Sequence, residues 1–181
     1  MRRDGVANRE RILLAAERVF GAGGAAASTE EIARQAEVGV ATVFRHFPTK
    51  QELIEAAAVR HLERLTDEAR RLIEAPDPGE AFASLIRTLV STGATKMALM
   101  DLVHPDGEEL TEPVDAAARR FLDALRIVVE RAQKAGLARP DATVDDVSML
   151  VRGLAYVATS YDGEIADRVV GIVLDGLGVP R

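Results

Sequence analysis

Between Ser28 and Leu53 the chain reads STEEIARQAEVGVATVFRHFPTKQEL, a stretch with room for two very short helices and the start of a third. Ser28 followed by Glu31 is a capping box, in which each residue satisfies a backbone N–H that the first helical turn leaves without a partner. Thr49 with Glu52 is a second. Pro48 stops the segment ahead of it, because its ring lacks an N–H and restricts the residues before it. The first short helix therefore ends near Ala36. After a tight connection at Glu37–Gly39, the second covers about Val40–His46. Upstream, Asn8 is placed to cap a helix whose apolar positions Ile12, Ala16, Val19 and Phe20 follow a 3.6-residue period, and GAGG at 21–24 closes it.

Two short helices joined by three or four residues and braced by a third have helix-turn-helix spacing. Ala33 is small where the two would cross, Val38 and Val43 fill the gap behind, and Ile32 and Phe47 face the bracing helix. The second short helix would lie in a DNA major groove, its N-terminal residues toward base edges. Its exposed side chains would be Val40, Ala41, Thr42, Phe44 and Arg45. Charge distribution is compatible with this. The net charge is −6, yet residues 1–50 hold eight Lys/Arg against six Asp/Glu, and residues 51–181 hold fifteen against twenty-three. A polyanion would be tolerated at the N-terminal end alone.

The remainder reads as helical throughout. A long helix from Lys50 to Ala75, about 39 Å at 1.5 Å per residue, places Leu53, Ala57, His61, Leu65, Ala69 and Leu72 on one face. PDPG at 76–79 breaks it. Helical segments are expected at about Gly79–Thr92, about Thr95–Val103, from Val114 to Gly136, after Thr143, and from Glu164 to Leu177, with an acidic loop at 104–113. Gly153 and Gly171 interrupt the last two helices, where each costs roughly 1 kcal/mol relative to Ala; close approach of another helix would explain them. Aromatics are only 4% of the chain, which disfavours a sandwich or barrel. The expectation is an all-α protein of about nine helices, with a three-helix helix-turn-helix domain at 1–50 and a larger helical domain at 51–181.

The run STEEIARQAEVGVATVFRHFPTKQEL resembles the signature of the TetR family of bacterial transcriptional regulators, over about residues 8–60. LVRGLAYVATS followed by VVGIVLDGL is similar to the subgroup with an SbtR-like C-terminal domain. The resemblance implies a homodimer bound to a double-stranded, palindromic DNA operator, a C-terminal domain that binds a small-molecule effector, and most commonly a repressor. It implies that Val40, Ala41 and Thr42 face bases, that His46 and Lys50 touch phosphates, and that Ser28, Thr29, Phe44 and Arg45 complete the surface. Arg2, Arg3 and Arg9 would reach backbone or minor groove. Effector-pocket candidates are Phe82, Leu85, Leu89, Met97, Met100, Phe121, Leu125, Met149 and Tyr156, with Arg87, Lys96, Arg126 and Arg152 as polar anchors. Dimer-interface candidates are Val147, Val151, Gly153, Leu154, Ile165, Val169, Ile172 and Val173. Three positions depart from the family pattern: Phe44 stands at a usual Tyr, Gly39 at a usual Ser and Glu37 at a usual Gly. If the turn keeps its shape, Glu37 takes the left-handed conformation.

Other chemistry has little to stand on. There are no cysteines, which excludes disulfides and thiolate chemistry. GAGG follows a helix and lacks a trailing Lys-Ser/Thr, so it does not read as a phosphate loop. His104, Asp106, Glu108 and Glu109 read as a solvated acidic loop before they read as metal ligands. His61 has Leu65 at i+4 and reads as a residue on the helix face. No nucleophile context is recognisable, so no catalytic residue, metal or cofactor is expected. No apolar run approaches the ~20 residues of a membrane span, and a cytoplasmic location is expected. Two other readings remain open: an adaptor that keeps the helix-turn-helix shape without reading DNA, and a helical enzyme using a C-terminal cavity.

Overall fold

The computed structural model describes residues 2–104, 109–158 and 163–178, and within them the chain is all-helical. Eight α-helices follow one another: α1 (Arg2–Gly23), α2 (Thr29–Gln35), α3 (Val40–His46), α4 (Lys50–Ile73), α5 (Pro78–Val103), α6 (Glu112–Lys134), α7 (Val144–Ala158) and α8 (Gly163–Leu177), with a single 3₁₀ turn at Gly24–Ala26. The chain forms two compact units, one of residues 1–62 with 95–116 and one of residues 63–94 with 117–181. Both boundaries of the second unit's first segment lie inside helices, so α4, α5 and α6 each contribute to both units.

In the first unit α1 packs against α2 and α3. Ile12, Leu13, Ala16 and Phe20 of α1, Ile32 and Ala33 of α2, Val43 of α3 and Leu53 and Ala57 of α4 are all buried. α1 begins well before Asn8, so Asn8 is no cap. Its Oδ1 instead accepts from Arg11 Nη2 at 2.7 Å, one turn on. Gly5 is the sole weak helix former ahead of it, and a single Gly is not enough to stop a helix. Gly24 takes φ +51 and ends α1 as expected of the glycine cluster. Close to this end, a Cβ on Gly21 would meet Thr95 of α5 at 2.9 Å.

The second unit is tied together by caps. Asp77 Oδ1 accepts from the N–H groups of Gly79 and Glu80 (2.8 and 3.0 Å), turning PDPG into the start of α5. Arg131 of α6 donates to the carbonyls of Leu72 and Ala75 at 2.9 and 2.8 Å, satisfying the end of α4. Thr143 and Asp146 form a complete capping box on α7: Thr143 Oγ1 accepts from Asp146 N–H at 3.1 Å and Asp146 Oδ2 accepts from Thr143 N–H at 2.8 Å.

Two helices expected between 79 and 103 are one. Thr92-Gly93-Ala94-Thr95 does not interrupt α5, because no proline is present and Gly93 is filled from outside. A Cβ built on Gly93 would lie 2.3 Å from the Cβ of Ala155, so α7 crosses α5 at this glycine. The expected close approach at Gly153 and Gly171 is not made among the described residues, where a Cβ on either meets nothing within 4 Å. Asp106 and Glu108 of the acidic loop lie outside the described residues.

Candidate nucleic-acid interface

The turn between α2 and α3 sets this surface. Glu37 has φ 54, the left-handed conformation expected of it, and no other non-glycine described has positive φ. Its N–H reaches Arg34 O and the N–H of Val38 reaches Ala33 O at 3.0 Å, which closes α2 and redirects the chain within three residues. The Glu37 carboxylate lies 3.7 Å from Arg11 and is exposed. Gly39 is the N-cap of α3 in extended backbone, and with no side chain its only capping contribution is the carbonyl that accepts from Thr42 N–H at 2.8 Å.

Val43 is the buried residue of α3, and Phe47, its C-cap, is 4% exposed. Ala41, Phe44 and Arg45 are exposed, and Val40, Thr42 and His46 are half-buried. Arg45 Nη2 donates to Thr42 Oγ1 at 3.2 Å. The His46 ring sits tilted against Phe47, 6.4 Å between centroids. The guanidinium of Arg9, expected among the arms reaching for DNA, lies over the Phe47 ring at 5.2 Å instead, a cation–π contact that covers the core's edge.

Ser28 and Thr29 stand at the N-terminus of α2. Ser28 Oγ accepts from Glu31 N–H at 3.2 Å, so half of the expected capping box is made. The other half is not, because the Glu31 carboxylate turns to Arg34 and Gln35. Hydrogen bonds from Arg34 and then Gln35 hold that carboxyl down to about 2. At the start of α4, Thr49 Oγ1 accepts from Glu52 N–H at 3.0 Å and donates to Glu52 Oε1, and Lys50 Nζ reaches the carbonyl of Ala25 at 3.3 Å. Lys50 thus braces the 3₁₀ turn while presenting its charge at the helix N-terminus.

His61 lies on the inward face of α4, where its place in the stripe with Leu53, Ala57 and Leu65 puts it. It is 1% exposed, and its Nδ1 lies 3.2 Å from Oε2 of Glu17, itself buried on α1. Arg60 donates to Glu17 and, at 3.1 Å, to Glu10. Burial pulls the Glu17 pKa up, but the hydrogen bonds from His61 and Arg60, together with their charges, outweigh it and hold the carboxyl below its ordinary value. This network joining α1 to α4 went unread in the sequence because its partners are 43 and 44 residues apart. The signal was present: Glu17 lies beside Ala16 and Phe20 on the inward stripe of α1, and His61 lies on that of α4.

The other site residues are distributed less as expected. Phe82, Leu85, Leu89, Phe121 and Leu125 are buried in the second unit, whereas Met97 and Met100 are half-buried in the first. Met149 and Tyr156 are 74% and 70% exposed, so they do not face inward with the buried set. A groove of about 370 Å³ in the second unit is lined by Leu122, Arg126, Val129, Glu130, Gln133 and Ala142–Asp145, and Arg126 is its one residue foreseen as an anchor. Of the interface candidates, Val147 is fully buried inside the chain, on the inward side of α7 with Ala155, and has no surface to offer a partner. Val151, Leu154, Ile165, Val169 and Val173 are half-buried, Gly153 is exposed and Ile172 is 63% exposed.

A three-helix head with a short recognition helix, joined in one chain to a larger helical unit, is the architecture of a DNA-binding regulator. Residues 12–57 match the family described as bacterial regulatory proteins, tetR family, and residues 77–179 match the SbtR-like transcriptional regulator C-terminal domain. A TetR transcription regulatory protein from Mycobacterium vanbaalenii is 36% identical, with 98% of this chain and 99% of that one covered and a TM-score of 0.78. A TetR transcriptional regulator from Streptomyces coelicolor is 32% identical over 96% and 99%, also at 0.78. No curated protein matches the chain. The chain belongs to the TetR family of bacterial transcription regulators, with an SbtR-like C-terminal domain.

Proposed function

We propose that the protein is a homodimeric repressor in the cytoplasm, released from a palindromic operator when a small molecule binds its C-terminal part. Residues 1–50 read the DNA, and residues 51–181 bind the effector and dimerise. The observation that carries the reading is the α3 surface, where Ala41 and Arg45 lie opposite the buried Val43 and Arg45 donates to Thr42 on the flank. Two such helices about one DNA turn apart match a palindrome. Dimerisation is supported by exposed apolar residues: Met149 and Leu150 of α7 and Ile172 of α8 face outward, and a Cβ on Gly153 or Gly171 would meet nothing within 4 Å among the described residues. The effector acts by preferring the conformation that does not fit the operator, since a ligand with equal affinity for both shifts nothing.

Mobility shifts with the DNA upstream of the protein's own gene test this. A retarded complex that weakens steeply with salt and disappears on adding an effector supports it. A protein that binds no duplex at any salt concentration sinks it.

A further inference from the structure

We infer that Arg45, held in place by Thr42, reads a guanine in the major groove and is the central specificity residue of the head; this rests on the DNA-reading function proposed above. Successive helical residues turn by about 100°. Ala41 and Arg45 each lie two residues from the buried Val43, so each points about 160° away from it, one on either side of the outermost line of α3. Ala41 carries only a methyl group, which leaves Arg45 as the one long side chain on that line. Helical side chains lean toward the N-terminus and cover the preceding turn. The contact from Arg45 Nη2 to Thr42 Oγ1 at 3.2 Å has this direction. It delivers the guanidinium over the N-terminal half of α3, the half that meets base edges in a helix-turn-helix complex.

A guanidinium in that place matches one base best. One N–H given to Thr42 fixes the rotamer, and the remaining fork presents donors to a pair of acceptors. Guanine alone offers two adjacent acceptors, O6 and N7, on its major-groove edge, whereas adenine replaces O6 with a donor amine. Thr42 then acts twice, its methyl group free for a thymine methyl and its hydroxyl orienting Arg45. Because the cation is ordered before DNA arrives, less side-chain freedom is lost on binding.

The test starts from duplexes that the wild-type protein enriches from a randomised DNA library. Replacing the guanine under α3 by 7-deazaguanine, which removes N7 and leaves O6, should weaken wild-type binding about 2- to 12-fold, half the free energy of one bidentate base contact. The same replacement should leave Arg45→Ala unaffected. Thr42→Val should show an intermediate loss of discrimination, and Thr42→Ser, which keeps the acceptor, should restore it. If Arg45→Ala weakens binding equally to every duplex and lowers the salt dependence, Arg45 is a phosphate contact and the inference is overturned while DNA binding stands. If no duplex is enriched, both fail together.

Discussion

Glu37 shows most plainly how a single residue bends to the demands of the turn around it. A left-handed conformation costs a residue with a Cβ about 1–2 kcal/mol, and the exposed Arg11 pair at 3.7 Å returns little of it. Glycine removes the clash but loses more freedom on folding. Glu37→Gly should therefore stabilise the protein by roughly 0.5–1 kcal/mol, raising Tm by about 2 °C in a thermal melt. Glu17 is the opposite case, a buried carboxylate that its surroundings require. Glu17→Ala removes the carboxylate that Arg60 and His61 share and should cost about 2–4 kcal/mol in denaturant unfolding, held to the lower end because Arg60 keeps Glu10 and still reaches water. The pH dependence follows from the depressed carboxyl. Its contribution is complete above the ordinary value of 4.5 and is lost as pH falls through the lower folded value. Wild-type stability should drop more steeply below pH 4.5 than that of Glu17→Gln, and a parallel drop in both would remove Glu17 from the acid response.

Among the helices, the glycines separate into two kinds. Gly93 accepts the methyl of Ala155, so Gly93→Ala gains up to about 1 kcal/mol of helix propensity but forces an overlap that typically costs 1–3 kcal/mol. The variant should be net destabilised in urea, and adding Ala155→Gly should restore it. Gly153 and Gly171 meet nothing among the described residues. If they face a second copy, Gly153→Ala and Gly171→Ala should weaken the dimer in sedimentation equilibrium; unchanged dimerisation would move the interface elsewhere. This division also marks what can be read from sequence. The α2–turn–α3 segment was legible because its signals are local: Ser28, the tight Glu37–Gly39 turn, Pro48 and Thr49 all act within four residues. Gly93 was misread as a break because the residue that explains it lies 62 positions away. Met149 and Tyr156 stand among the pocket candidates for their residue type, but an apolar or aromatic residue on a helix does not say whether it faces inward or outward, and these two face outward.

For the whole molecule the governing quantity is charge asymmetry. A chain of net −6 approaches a polyanion productively only through its N-terminal fifty residues, where cations outnumber anions by two. Few phosphate contacts then carry the electrostatic affinity, and each matters. Lys50→Ala should weaken binding to all duplexes alike and reduce the slope of log K against log salt by about 1 per head. A loss confined to one DNA sequence would instead make Lys50 a reader of bases. The family was accessible from motif residues. Whether an effector binds was not, because the buried candidates Phe82, Leu85 and Phe121 are the same residue types that any helical core requires.

The seat of Ala155 on Gly93 has a mechanical consequence. Sliding α7 by one turn would bring Val151 to the place where Ala155 now sits, and an isopropyl group cannot enter a notch already filled by a methyl. Movement of α7 in that direction along α5 therefore meets a step at Gly93.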